Sequence, residues 1–246
     1  MIIGSRHRAR TGLPFFANII NMRDRGAEGR GPLTHGLTHS WVLASDYRVP
    51  HPDRVWPLLE RRQDALADMG AHHVLVYAST TEPGRVLVMI AIHAREPVLE
   101  LLRSRVFFEW FDAVGVEDIP AVFAGELVER LNLSGETGPT APEVMVSLVT
   151  PVADVPTLVT HVHETVAELR TAGIRSLLIF TAFDSPREVM LLLQIDDETH
   201  ARHWLRYSGL AAEWLEKAGI GAYPPVFVGK FQRMIRIDET DPTGGS

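Results

Sequence analysis

Residues 118–126 read DIPAVFAGE and residues 222–230 read AYPPVFVGK, so P-x-V-F-x-G occurs twice at an offset of 104. Sliding the chain against itself at that offset makes seven of 29 positions identical between 105–133 and 209–237. These are Glu109/Glu213, Trp110/Trp214, Gly115/Gly219, Pro120/Pro224, Val122/Val226, Phe123/Phe227 and Gly125/Gly229. Upstream the offset is 103 and pairs Gly70 with Gly173, Pro83 with Pro186 and Val86 with Val189, while Pro52 meets Pro156 at 104. A fixed period of this kind is the signature of a duplicated structural unit. The chain therefore divides into a leader (1–36), a first repeat (37–133), a linker SGETGPTAPE (134–143), a second repeat (144–237) and a polar tail (238–246). The linker's Gly, Pro and Thr suit an exposed connection.

The same order of periodicities recurs in each repeat. WVLASDYRV (41–49) alternates as a strand does, and 51–70 carries Val55, Leu58, Leu59, Leu66 and Met69 at helical spacing before Gly70 as a C-cap. HVLVYAST and VLVMIAIH are β-rich runs around TEPGR, a hairpin-like turn. A second helical region ends on Gly115, and AVFAGELVERLNL is a last strand. The second repeat follows the same course, which gives β-α-β-β-α-β twice, the ferredoxin-like pattern. Strands such as VLVMIAI and VMLLLQI are apolar on both faces, so the face that the helices leave open must be buried as well. The other repeat is the nearest cover. Two such sheets facing one another close into an α+β pseudo-dimeric barrel that also protects their edges. In the P-x-V-F-x-G pair itself, the proline fits the entry to a strand. Val and Phe then take opposite faces, and the glycine implies a bulge or a close approach between sheets.

Composition removes several classes of function. The first 36 residues hold six arginines against two acids, a net of +4, so the remainder carries −11. An acidic body argues against nucleic acid as partner, because phosphate binding needs clustered Lys and Arg. Cysteine is absent, which excludes disulfides, thiolate nucleophiles and cysteine metal ligands. No run of about 18 apolar residues predicts a spanning helix. The leader, with its short LPFFANII core, reads as a poorly ordered segment, a targeting signal or an over-extended start with Met22 as the internal alternative. Together these predict a cytoplasmic protein without membrane attachment. Arginine outnumbers lysine 22 to 2, as expected of a GC-rich, actinobacterial type of source. Neither G-x-x-x-x-G-K-[ST] nor G-x-G-x-x-G after a strand occurs, so nucleotide-dependent ligation, adenylation included, has no support.

Candidate chemistry concentrates where the repeats differ. Asp196, His200 and His203 lie at helical spacing and could present a general base or metal ligands; the competing reading is a capped first helical turn with exposed side chains. His161 and His163 are two apart on a helix, point different ways and read as surface. His72 and His73 open a strand, and His93 ends one at the position of Asp196. Trp110 and Trp214 are one repeat position, which points to core. Trp204 has Leu101 as its counterpart and is the better pocket candidate. Tyr207 and Ser208 fall at a helix break, where Ser208, like Ser104, would cap the next segment. No G-x-S-x-G elbow accompanies a Ser-His-Asp set.

The stretch ETHARHWLRYSGLAAEWLEKAG, a histidine-bearing helix, a break at Ser and an amphipathic turn ending in Gly, resembles the dimeric α/β-barrel superfamily that includes the antibiotic-biosynthesis-type monooxygenases. The resemblance covers both repeats, about 200 of the 246 residues. The first repeat's EPVLELLRSRVFFEWFDAVG keeps Ser104 but has no histidine, which points to the second repeat as the functional half. The resemblance implies an aromatic-lined pocket between sheet and helices. It further implies a cofactor-independent monooxygenase or isomerase acting on an apolar, ring-bearing molecule. His203 would be the base with His200 beside it, and Trp204, Tyr207, Ser208 and Trp214 would contact the ligand. Two alternatives stand beside it. One is a non-catalytic ligand-binding or self-associating barrel, including a homo-oligomer of fused pseudo-dimers. The other is haem binding of the chlorite-dismutase-like type, through His161, His163, His200 or His203. No other cofactor and no metal is expected. Fold alone does not choose among these.

Overall fold

A computed structural model describes residues 41–133, 144–206, 214–220 and 225–237. The leader, the linker, the polar tail, Tyr207, Ser208 and Pro224 lie outside the described residues. The first repeat contributes strands β1 (Trp41–Arg48), β2 (Ala71–Ser79), β3 (Arg85–Ile92) and β4 (Ala121–Asn132). Its helices are α1 (Val55–Glu60), α2 (Gln63–Asp68), α3 (Arg95–Arg103) and α4 (Arg105–Val114). The second repeat contributes β5 (Val144–Pro151), β6 (Ile174–Ala182), β7 (Glu188–Ile195) and β8 (Val226–Arg236), with α5 (Val155–Glu164), α6 (Val166–Thr171) and α7 (Glu198–Arg206). Residues 214–217 are helical too.

All eight strands form one closed antiparallel barrel in the order β1-β3-β2-β8-β5-β7-β6-β4. Each repeat keeps the ferredoxin-like order, last–first–third–second, and the barrel closes where β2 meets β8 and β4 meets β6. The expected α+β barrel of two ferredoxin-like halves is what the chain forms. Closure uses the same contacts twice. Thr80 N–H donates to Val228 O at 2.9 Å, and its equivalent Phe183 N–H donates to Ala124 O at 3.1 Å. At the other end Ile237 N–H reaches His72 O at 3.1 Å and Leu133 N–H reaches Arg175 O at 2.8 Å. A closed barrel has no unpaired strand edge to cap.

Irregularities are duplicated as well. The β4–β6 register shifts between Leu127 and Glu129, and the β8–β2 register shifts opposite Val76 and Tyr77, skipping Gln232. Within each sheet the register skips His72 in the first repeat and Arg175 in the second. The bulges therefore lie three residues beyond Gly125 and Gly229, not at the glycines. The glycines serve the close approach. A Cβ on Gly125 would lie 2.7 Å from the Phe123 ring, and one on Gly229 would collide with the Phe227 ring and lie 2.9 Å from Ala78 O. Each phenylalanine folds over the glycine two residues on, in the space that a side chain would need, which joins an aromatic ring to bare backbone at the seam.

Three apolar layers result. One lies between the first sheet and its helices and holds Leu43, Val76, Val88, Leu59, Leu66, Phe107 and Phe111. Its counterpart holds Val146, Leu148, Leu191, Leu158, Trp204 and Trp214. Between them the barrel interior is filled by buried side chains of the alternate strand positions, among them Leu75, Tyr77, Met145 and Phe227. This is why strands such as VLVMIAI are apolar on both faces. The long helix expected over 51–70 is instead broken at Arg61–Arg62, and the equivalent helix of the second repeat is broken at Thr165. Thr165 Oγ1 donates to His161 O at 2.7 Å, a side-chain bond that competes with the helical ladder and bends it. Ser104 caps α4 as expected, its Oγ accepting from Phe107 N–H at 3.3 Å, and Gly115 ends that helix with φ +76°.

Adding a methyl group at the seam tests this packing. Gly229→Ala should destabilise the protein by about 2–3 kcal/mol, since overpacking against backbone leaves little room to relax. Urea unfolding should show this, and Phe227→Leu in the same chain should recover part of the loss. Independent, additive effects would sink the account.

Candidate functional site

A cavity of about 300 Å³ lies between the first repeat's sheet and its helices. Its floor is the helix-facing side of β1 and β3, with Ser45, Val88 and Ile90. Leu59, Leu66 and Met69 wall it from the α1–α2 side, and Leu101, Phe107 and Trp110 from α3 and α4. Arg62 and exposed Val106 stand at its rim. The lining is apolar except for Ser45 and Arg62. The helix break at Arg61–Arg62 brings Arg62 onto the cavity, and its guanidinium lies over the Trp110 ring, 5.6 Å from the centroid. Behind Trp110, the buried Tyr47 ring meets Phe111 edge-on at 5.5 Å. Burial pushes the ionisation of its hydroxyl upward, opposed in part by the Trp110 side chain, so it is a neutral phenol.

Among the described residues of the second repeat, bulkier side chains take the equivalent sheet and helix positions. Where the first has Ser45, the second has Leu148, 2% exposed. Where the first has Leu101, the second has Trp204, 3% exposed and 6.5 Å from Trp214. Where the first has Arg62, Thr165 accepts the Trp214 indole N–H at 2.8 Å. Trp110 and Trp214 thus share a repeat position with different roles. Trp214 is tied to Thr165 and sealed in core, whereas Trp110 faces a cavity under an arginine. In sequence the first repeat has Phe107 where the second has Ala211, and Leu101 where the second has Trp204. On the sheet side, the replacement of leucine by Ser45 has no such compensation.

Among the described residues, those predicted from sequence are not gathered into one site. His200 and His203 are exposed. Asp197 caps α7, accepting from Thr199 N–H at 2.7 Å and His200 N–H at 2.9 Å, and its other oxygen meets His200 Nδ1 at 2.8 Å. These bonds hold the Asp197 carboxyl below the usual carboxylate range, the His200 backbone bond foremost. Asp196 is engaged elsewhere, in an ion pair with Arg175. Trp204 and Trp214 are core, and Tyr207 and Ser208 lie outside the described residues. His161, expected on the surface, packs half-buried on Trp214 at 5.3 Å between centroids, because the α5–α6 bend turns it inward. His163 is half exposed, 3.5 Å from Glu129. Among the described residues no group of three or more His, Asp or Glu could hold a metal ion, and no helix is long and apolar enough to cross a membrane.

A second polar cluster sits at the barrel rim. The β2 bulge brings His72 Nδ1 within 2.6 Å of His73 Nδ1, and His72 lies 4.5 Å from the His93 ring. These positions match Arg175 and Asp196, so one rim carries an ion pair where the other carries stacked imidazoles. His72 is pushed down to about 4 by burial and by its neighbours His73 and His93. His73 is pushed down to about 4 by burial, Arg236 and His93.

No family model and no curated protein matches the chain. Solved structures do. An anthrone oxidase-like protein aligns with a TM-score of 0.61 at 12% identity, over 84% of this chain and 97% of its own. A candidate monooxygenase of Fusobacterium nucleatum aligns with a TM-score of 0.51 at 9% identity, over 82% of this chain and 96% of its own. At such identities the likeness is one of fold. The chain has the dimeric α/β-barrel, monooxygenase-like fold, with both ferredoxin-like halves in one polypeptide.

Two outcomes follow. Ser45→Leu, which copies Leu148, should raise thermal stability by about 1 kcal/mol by filling the cavity; a loss of that size would show the space to be already occupied. In the rim cluster, the folded state resists protonation while the unfolded chain accepts protons at the ordinary value near 6.5. Stability should therefore fall as pH drops from about 6.5 to 4 and level off below. His72→Gln should reduce that slope by about one proton's worth, about 1.4 kcal/mol per pH unit. An unchanged slope in pH-dependent urea unfolding would contradict this.

Proposed function

We propose that this protein binds an apolar, ring-bearing small molecule in the cavity of its first repeat. The observation that carries the reading is the contrast between equivalent positions: Ser45, Leu101 and Trp110 surround space beside Arg62, where Leu148, Trp204 and Trp214 are buried in core beside Thr165. Core packs to high density by default, so open space of about 300 Å³ between the first repeat's sheet and its helices calls for a reason. Phe107 and Trp110 offer ring faces and edges for stacking, and Val88 and Ile90 offer a flat aliphatic floor.

Two features favour binding without turnover. The polar lining consists of a serine and an arginine, neither of which accepts a proton from carbon at neutral pH unaided. His200 and His203, the candidate bases of the second repeat, are exposed on α7 and do not line the cavity. A cofactor-independent monooxygenase or isomerase remains the second reading. The fold likeness to an anthrone oxidase-like protein supports it, and the activity would have to arise at this same pocket. Haem ligation by His161, His163, His200 or His203 is the third, and a Soret shift on adding haemin would be its sign.

Titration with naphthalene derivatives, followed by tryptophan fluorescence and calorimetry, tests the leading reading. Binding at micromolar concentrations is expected for the wild type. A loss of at least tenfold is expected for Ser45→Leu together with Leu101→Trp, in a chain whose circular dichroism is unchanged. Wild-type affinity in that filled variant would remove the pocket from consideration.

A further inference from the structure

The cavity is lined by one charged group, and among the described residues that charge has no counterion. Arg62 carries the guanidinium at the rim of an otherwise apolar space. It lies over the face of Trp110, held there by cation–π attraction, and a guanidinium has five N–H donors to offer a ligand. Nearby groups are otherwise engaged. Glu60, two residues before it, accepts the Trp56 indole N–H at 2.6 Å. Arg61 donates from Nε to Pro57 O at 3.1 Å. Among the described residues no carboxylate lies within ion-pair distance of Arg62, whereas Arg48 and Arg85 on the same repeat's strands pair with Glu82 and Asp46.

The placement is specific to the first repeat. Both repeats break the same helix at the same position, but the second puts Thr165 there, whose hydroxyl takes the indole N–H of Trp214. In the first repeat the indole is stacked under a cation instead. A small hydroxyl that seals the core has as its counterpart a long cationic side chain that faces a cavity. An arginine fixed on an aromatic face and partly withdrawn from water is a strong, geometrically defined receptor for a planar anion. A cationic ligand would meet repulsion from the same group, and a neutral one would leave its donors without a charged acceptor.

We infer that the ligand is an aromatic or other planar ring compound bearing a carboxylate, its ring between Trp110, Phe107 and the sheet and its carboxylate accepting hydrogen bonds from Arg62. The inference rests on the pocket reading above and narrows it to a ligand charge and a recognition residue. Arg62 touches the ligand in this arrangement and is a binding residue.

Three isosteric probes separate the possibilities: 2-naphthoate, 2-naphthamide and 2-naphthylmethylammonium, titrated calorimetrically at low and moderate salt. The wild type should bind 2-naphthoate at least tenfold more tightly than 2-naphthamide, a difference of about 1.4 kcal/mol. The ammonium should bind most weakly. The carboxylate's advantage should shrink as salt rises. Arg62→Gln and Arg62→Thr should abolish the preference while leaving 2-naphthamide binding within about twofold, and Arg62→Lys should restore only part of it. Equal affinities for carboxylate and amide in the wild type would overturn the charge assignment and leave the pocket reading standing. A preference that survives in Arg62→Gln would overturn Arg62 as its source. No binding of any probe by folded protein would overturn both.

Discussion

Everything described depends on two strand seams, β2 with β8 and β4 with β6. A single ferredoxin-like sheet with helices on one face leaves its other face and two edges open, and strands apolar on both sides cannot tolerate that in water. Pairing the second strand of each half with the last strand of the other covers both at once. The seam needs backbones to come close, and the Phe-x-Gly pairs make this feasible. Phe123 and Phe227 fill the barrel interior while their rings cover Gly125 and Gly229, where a Cβ would collide. Full burial of each phenylalanine contributes roughly 2–3 kcal/mol, and the glycine keeps the approach free of strain. The repeated motif is thus a packing device for joining halves, with a bulge three residues later at Val128 and Gln232 that lets β4 and β8 bend around the barrel.

The fold was legible because its evidence is periodic. Alternation, helix-ending glycines and the offset of 103–104 are local or pairwise features, and each maps onto one element of the barrel. Register was legible in the same way, since Gly70 and Gly173 both end helices with positive φ and Ser104 caps α4 where a break was expected. The site was less legible for a physical reason. Comparing repeats identifies where they differ, but which difference makes a void depends on volumes summed across layers. Trp204 against Leu101 suggested an aromatic gained for a ligand in the second repeat. In three dimensions the indole is filler, packed on Trp214 above Leu148. The signal that would have found the cavity was the opposite substitution, a serine at position 45 on the helix-facing side of a strand whose other repeat has leucine. Histidines misled similarly. His200 resembles a catalytic residue in sequence but serves a helix start, beside the Asp197 cap. His161 resembles a surface residue, yet it packs on Trp214 because a threonine bends the helix that carries it.

Joining the halves in one chain changes what the fold can do. In a symmetric dimer of identical subunits every substitution appears twice, so a cavity opened in one half is opened in both and both cores lose packing. With two distinct halves the costs separate. The second repeat can pack Leu148, Leu191, Trp204 and Trp214 to core density, while the first gives up packing around Ser45. Because β8 of the second repeat is hydrogen-bonded along β2, the sheet behind the cavity is braced from the other repeat and does not rely on the helices that surround the open space. Preorganised binding requires such support, since a pocket that collapses when empty must be reopened at the expense of affinity.

The rim histidines show the same freedom acting on charge. The position that carries Arg175 with Asp196 in one half carries His72 with His93 in the other, and the β-bulge that presents them is shared. An ion pair at an exposed rim contributes little to stability. His72 and His73, whose affinity for protons is lowered first by burial, with Arg236 adding to the effect at His73, respond to acid instead, because protonation places positive charge beside positive charge where β2, β3 and β8 meet. The first repeat therefore combines the open cavity with the acid-sensitive rim, and the second repeat is the constant frame on which both are held.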